Sequence, residues 1–333
     1  MINLVQFGNS ANAATSAAKA ALAASAITSK AAILQMMLDM PAKADKKTII
    51  GQAIDSITDV TIDNIYATTG YYPGLIAWDH RWDRVNSKAN LDRLIGYWNS
   101  GSIISTHMHW DNPAGGYYNN MAAVNFTNMI TEGHALNTSF KASLDILAAD
   151  LQYLQYAGVP VLLRLFHEYN GDFFWWGTPN TTSTTFKAAW AYVHNYLAVT
   201  KGLTNLLWVF SPGSWIGYNS AYYPGDAYVD IVSVDYYSNY NNGAALPKSN
   251  GYDELVATGK PFMLGEWGET LGSTPTPMDI SNLIANIKTN MPAIVAIVPW
   301  MQAWGLDEHT GAGTIFVDPW SVSRADLVGF DLW

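Results

Sequence analysis

Apolar residues along this chain fall into two alternating patterns. Near-continuous apolar runs of strand length occur at residues 47–52, 74–79, 103–110, 160–168, 205–211, 230–237, 261–266 and 293–304. Between them lie segments at 91–98, 140–157, 186–200 and 280–289 whose apolar positions recur every three or four residues, the spacing of one helix face. An earlier helical stripe, Ile33, Leu34, Met37 and Leu38, stops at Met40-Pro41. Strands that are apolar on both faces and separated by helices predict a parallel sheet covered on each side. Eight such repeats predict closure into an α/β protein of the (β/α)8, or TIM barrel, type. A doubly wound open sheet is the competing architecture, but it favours a glycine-rich turn after the first strand, and Gly51-Gln52-Ala53 carries no such fingerprint. No linker or low-complexity joint divides the chain. The expectation is a single domain over residues 1–333, with residues 1–46 a helical extension packed on the barrel.

In such a barrel the chemistry sits at the C-terminal ends of the strands. The polar and aromatic residues gather there: Asp79 and His80, His107, His109 and Trp110, Arg164, His167 and Glu168, Trp215, Asp235 and Tyr237, Glu266, and Gln302 and Trp304. A strand that finishes in Arg, His and Glu is costly as pure scaffold, because buried charges must be paired. Glu168 reads as the end of the fourth strand. Arg164, four residues earlier, then faces the same side from deeper in the barrel and balances charge there. Glu266 closes the seventh run. Its rival Glu269 is not excluded by spacing, but reads as already in the following loop. His107 and His109 alternate along the third run and point to one side. A metal site needs further ligands and an open position, so hydrogen-bonded histidines are the reading, and no metal or cofactor is expected. Asp79 either binds a ligand hydroxyl or caps the segment after it.

Composition narrows the ligand. The net charge of −10 and a pI near 5.0 exclude the basic surface that nucleic acid requires. With 14 Trp and 19 Tyr, the chain has more polar-tipped aromatics than a core needs, as suits a neutral hydroxylated ligand such as a sugar. Trp78, Trp82, Trp110, Trp215 and Trp267 divide evenly between packing and outer contacts to such a ligand. Zero Cys removes disulfides and thiol chemistry. The segment 9–40 is interrupted by Lys19 and Lys30 and reads neither as a signal peptide nor as a membrane span.

Cleaving an acetal between sugars takes a proton donor and a second carboxylate, about 5 Å away for retention of configuration and roughly 6.5–9.5 Å away for inversion. Glu168 and Glu266, on strands four and seven, lie across a barrel mouth from one another. The residues that surround them, Arg164-Leu165-Phe166-His167-Glu168-Tyr169-Asn170-Gly171, Phe174-Trp175-Trp176-Gly177 and Gly265-Glu266-Trp267-Gly268, resemble glycoside hydrolase family 26, chiefly endo-β-1,4-mannanases. The resemblance extends to Ile50-Gly51-Gln52, His109-Trp110-Asp111-Asn112-Pro113 and Asp235-Tyr236-Tyr237, and so covers most of the chain. It implies a retaining double displacement on mannan-type polysaccharide, with Glu168 as general acid/base and Glu266 as nucleophile; action on β-1,3-xylan or mixed-linkage β-glucan, as in related family members, and a barrel that only binds carbohydrate are the alternatives. It further implies that His167 binds substrate or holds a carboxylate, that Tyr237 donates to Glu266, that His109 meets the sugar near the cleaved bond, and that Trp304 on the last strand forms a stacking floor. Trp176 and Trp267 are assigned to the substrate beside them. The chain departs from the family at Phe173, where a Trp is common, and the indole N–H is lost there. A secreted, extracellular monomer is expected, whose signal peptide is not part of this chain and which binds neither nucleic acid nor membrane.

Overall fold

The computed structural model describes residues 4–238, 246–269, 277–330 and 332, with their side chains except those of residues 4–17, Ser238 and Glu269. Eight strands form the centre: β1 (Thr48–Ile54), β2 (Leu75–Asp79), β3 (Ile103–His107), β4 (Val161–Leu165), β5 (Leu206–Phe210), β6 (Ile231–Ser238), β7 (Phe262–Glu269) and β8 (Ile294–Pro299). All neighbours pair in parallel, and β1 pairs with both β2 and β8, closing the barrel. A two-residue strand β9 (Ser321–Val322) runs parallel beside the start of β1. The residues of β1, β2, β3, β4, β5 and β8 are buried throughout, because helices cover the outer face while side chains fill the interior.

The first helix, α1 (Leu4–Asp39), precedes the barrel. The helices that follow are α2 (Thr61–Thr69), α3 (Ser87–Asn99), α4 (Phe126–Met129), α5 (Ala135–Tyr156), α6 (Ser183–Asn195), α7 (Tyr252–Val256), α8 (Leu283–Asn290), α9 (Ala312–Val317) and α10 (Arg324–Leu327). α6 begins at a reciprocal cap between Thr182 and Thr185, which satisfies donors the helix cannot pair itself. From α1, Ala26, Ile33 and Met37 are fully buried, and the helix packs on α5. By length and composition the stretch Ala18–Ala42, which takes in the second half of α1, is apolar enough to cross a membrane.

Four strand ends differ from the sequence reading by three residues or more, and the differences shape the site. β3 ends at His107 rather than Trp110, and β8 ends at Pro299 rather than Trp304. β7 continues to Glu269, paired with Ser238 of β6, instead of stopping at Glu266. β4 ends at Leu165, three residues before Glu168. Phe166 and Glu168 then take left-handed conformations, with φ of 43° and 55°, which leaves the extended path that a strand requires.

Candidate active site

The C-terminal mouth of the barrel gathers three buried carboxylates around one guanidinium. Arg164, 1% exposed, comes from β4. Its two terminal nitrogens donate to Asp235 Oδ1 of β6 and to Glu266 Oε1 of β7, the latter at 2.5 Å. Burial opposes the charge on Arg164, but Asp235 and Glu266 outweigh it and hold its pKa up. Ser211 Oγ donates to the same Asp235 oxygen at 2.8 Å. The hydroxyl of Tyr237 donates to Glu266 Oε2 at 2.7 Å. Thus each oxygen of Glu266 accepts a hydrogen bond, one from a cation and one from a phenol.

The glycines on either side of Glu266 make this possible. A Cβ on Gly265 would stand 2.6 Å from Ser233 Oγ, 2.9 Å from Arg164 Cδ and 3.0 Å from Asp235 Oδ1. One on Gly268 would stand 2.5 Å from Trp304 Cδ1 and 2.9 Å from Tyr237 Cε1. These distances are too short for real carbon contacts, so both positions admit only a hydrogen atom.

Glu168 is held differently. Its backbone N–H donates to Ser211 O at 2.7 Å. The residue is 4% exposed, and carboxylate oxygens of Glu168, Asp235 and Glu266 lie within 4.8 Å of one another. Burial first, and then the charges of Glu266 and Asp235, push its carboxyl well above the usual range, with Arg164 only partly offsetting them. Arg164, expected to balance charge on the same side as Glu168, directs its hydrogen bonds to Asp235 and Glu266. The sequence argument relied on strand parity between residues 164 and 168, and the left-handed turn at Phe166 and Glu168 removes that parity.

A chain of imidazoles lies alongside. His109, 7% exposed, and His167, fully buried, face each other through their Nε2 atoms at 3.2 Å. His167 Nε2 lies 4.0 Å from Glu266 Oε1. His107 and His109 do turn to one side, although β3 ends between them, because both approach Asp79. Asp79 Oδ1 also accepts from the Arg81 backbone N–H at 2.7 Å, which is the capping contact among the two alternatives for this residue.

The aromatics separate into packed and open sets. Trp78, Trp110, Trp175, Trp176 and Trp267 are fully buried. Trp176 stacks on Phe174 at 4.3 Å and donates its indole N–H to His167 O at 2.7 Å. Trp176 and Trp267 therefore present no open face, contrary to their assignment to substrate, and they back the site instead. Phe173 is half-buried with its ring 5.8 Å from that of Trp215, which in turn is 6.1 Å from Tyr237. Trp304 is half-buried and edge-on to Tyr237 at 6.4 Å, in a short 3-10 turn after β8 and not on the strand. Trp82 and Tyr118 flank His109 at 5.4 and 5.1 Å.

Trp300 was not singled out in the sequence. It follows β8 directly and lies 5.4 Å from His107 and 6.2 Å from His109. The rule that strand ends carry chemistry points to it more strongly than to Trp304, once β8 is known to stop at Pro299. Ser211 and Tyr118 were also missed; neither stands out by residue type.

The sequence model of glycosyl hydrolase family 26 matches residues 22–326. A mannan endo-1,4-beta-mannosidase A and B of Caldalkalibacillus mannanilyticus is 30% identical over 317 residues, covering 89% of this chain and 60% of that protein. The chain thus spans less than two thirds of that relative's length. A mannan endo-1,4-beta-mannosidase of Bacillus subtilis is 29% identical over 321 residues, covering 89% of this chain and 85% of its own. Among solved structures, a Bacillus subtilis mannanase superimposes with a TM-score of 0.78 at 27% identity, over 88% of this chain and 91% of the other. With a closed parallel barrel and two glutamates meeting at its mouth, the chain belongs to glycosyl hydrolase family 26 and is a glycoside hydrolase.

Proposed function

We propose that the protein is a retaining endo-β-1,4-mannanase that cleaves internal linkages of mannan, glucomannan or galactomannan by double displacement. The observation that carries the reading is the pairing of two unlike carboxylates within 4.8 Å, a separation that fits attack by one of them and leaves too little room for a water between. Glu266, with Arg164 and Tyr237 on its two oxygens, attacks the anomeric carbon. Glu168, whose pKa is pushed up, gives its proton to the departing glycosidic oxygen. Water then attacks the glycosyl-enzyme ester, Glu168 takes the water's proton, and Glu266 leaves as carboxylate. Arg164 holds the nucleophile, and His167 and His109 shape the wall beside it. Phe173, Trp215, Trp300 and Trp304 offer ring faces along the mouth. The chain's own residues supply the acid, the base and the nucleophile, and no cofactor enters the scheme.

The choice of mannan rests on the relatives named for that activity. A polymer too large to enter cells is met outside them, which supports a secreted enzyme, and both glutamates belong to one chain, which supports a working monomer. The test is a panel of mannan, glucomannan, β-1,3-xylan and lichenan, with products resolved by chromatography and the anomer read by NMR. Release of manno-oligosaccharides with the β configuration is expected. Preference for xylan or lichenan, or an α product, sinks the reading. Glu168→Ala should lose turnover on mannan and, with azide and an activated glycoside, yield the β-glycosyl azide. Glu266→Ala should also lose turnover, and any azide product it forms should have the α configuration.

A further inference from the structure

The mechanism leaves Asp79 without a task, although it is heavily engaged beside the mouth. It ends β2, is 1% exposed, and among the described residues its side-chain oxygens meet groups that donate or can donate. Oδ1 accepts from the backbone N–H groups of Arg81 at 2.7 Å and His109 at 3.3 Å. Oδ2 meets His109 Nδ1 in a short contact and lies 3.5 Å from His107 Nε2. Burial opposes its charge, but the donors on its two oxygens outweigh that and hold the carboxyl well below the usual range. As a carboxylate it can only accept, so His109 carries its proton on Nδ1.

The rest follows along the chain of contacts. A neutral ring with its proton on Nδ1 presents Nε2 as an acceptor. His109 Nε2 faces His167 Nε2 at 3.2 Å, so His167 must be the donor there. Burial, with Arg164 nearby, pushes the His167 pKa well down, so that ring has one proton to place. Committed to His109, it is withheld from Glu266 Oε1, 4.0 Å away. The donors to the nucleophile are then Arg164 and Tyr237. Both nitrogens of His109 are engaged, so it meets a sugar through ring carbons rather than through a hydrogen bond.

We propose that Asp79 is a positioning residue, which sets the tautomers of His109 and His167 and thereby turns the His167 N–H away from the nucleophile Glu266. Asp79→Asn inverts the pattern for a geometric reason. The two backbone donors keep the amide oxygen at the Oδ1 position, so the amide N–H2 takes the Oδ2 position and faces His109 Nδ1. His109 must then carry its proton on Nε2, His167 must accept, and the His167 proton moves to Nδ1. That nitrogen is buried and has no hydrogen-bond partner among the described residues.

This inference rests on the mechanism proposed above, and its test reads the tautomers without substrate. In protein labelled with 15N-histidine, long-range proton–nitrogen spectra should show His109 protonated on Nδ1 and His167 on Nε2, assigned with His109→Gln and His167→Gln. Asp79→Asn should invert both and lower kcat on mannan by about tenfold or more while leaving KM nearly unchanged; Asp79→Glu should restore the tautomers at least in part. Wild-type His109 protonated on Nε2 overturns the proposal even if no variant folds. So does an Asp79→Asn enzyme with native tautomers and native kcat. Stoichiometric, tight Zn(II) binding that removes the His109 Nδ1–H signal also overturns it, because Asp79, His107 and His109 would then be ligands. Absence of mannan hydrolysis by the wild type, with the tautomers as stated, counts against the substrate reading alone.

Discussion

Replacing Tyr237 by Phe isolates one hydrogen bond at the nucleophile. The hydroxyl donates to Glu266 Oε2 at 2.7 Å. Burial, together with Glu266 and Glu168, pushes the phenol pKa well up, so the group stays a donor throughout the working range. Phe keeps the ring against Trp215 and Trp304 and removes only the O–H. A hydrogen bond to a charged group is worth about 1.5–3 kcal/mol, or roughly 10- to 150-fold in rate where it is fully felt. The sign differs between the two steps. The bond stabilises carboxylate, which is consumed when the glycosyl ester forms and regenerated when it breaks. Its loss therefore slows breakdown of the ester and leaves formation less affected. With an aryl manno-oligoside bearing a good leaving group, kcat should fall by about tenfold or more, KM should fall with it, and stopped flow should show a burst near one equivalent. If instead kcat and kcat/KM fall together, with KM unchanged and no burst, the phenol acts in forming the ester and the argument is refuted.

Three further outcomes follow from the same geometry. Glu168 has a folded pKa raised above that of the unfolded chain, so its contribution to stability is intact below the unfolded value and is lost as pH rises through the folded one. Glu168→Gln should therefore melt higher than wild type near pH 7, by about 2 °C, and the gap should close near pH 4 in calorimetry. Gly265→Ala brings a methyl within 2.9 Å of Arg164 Cδ and should shift the guanidinium off Glu266, lowering kcat by about 100-fold with little change in circular dichroism. Phe173→Trp restores an indole beside Trp215 and should lower KM for manno-oligosaccharides a fewfold at constant kcat, which steady-state kinetics will show.

The parts of the fold that were legible in the sequence are those with a periodic cause. Parallel strands buried on both faces read as unbroken apolar runs, and all eight appear within a few residues of their observed positions. Glu168 and Glu266 stood out because ionisable residues at the ends of such runs need partners. The aromatics were less legible, because tryptophan serves equally as core and as open face. Trp176 and Trp215 look alike in sequence, yet one is fully buried and the other 36% exposed. Which of them lies open depends on neighbours supplied by the folded loops, as Phe174 covers Trp176.

The end of β4 was not legible at all, and its hidden geometry governs the chemistry. Nothing local favours left-handed conformations at Phe166 and Glu168, each of which costs about 1–3 kcal/mol. Tertiary bonds impose them: Ser211 O receives the Glu168 N–H, and His167 O receives the Trp176 indole N–H. Had the strand continued, residues 164 and 168 would share a face, and a guanidinium bonded to Glu168 would depress its pKa. An acid so paired has no proton to give near neutral pH. By turning the chain out of the strand, the left-handed step leaves Arg164 to Asp235 and Glu266 and sets Glu168 among like charges. The strain at Phe166 and Glu168 thus separates one glutamate whose oxygens accept from Arg164 and Tyr237 from another whose carboxyl is pushed toward its acid form, which is the difference a double displacement needs.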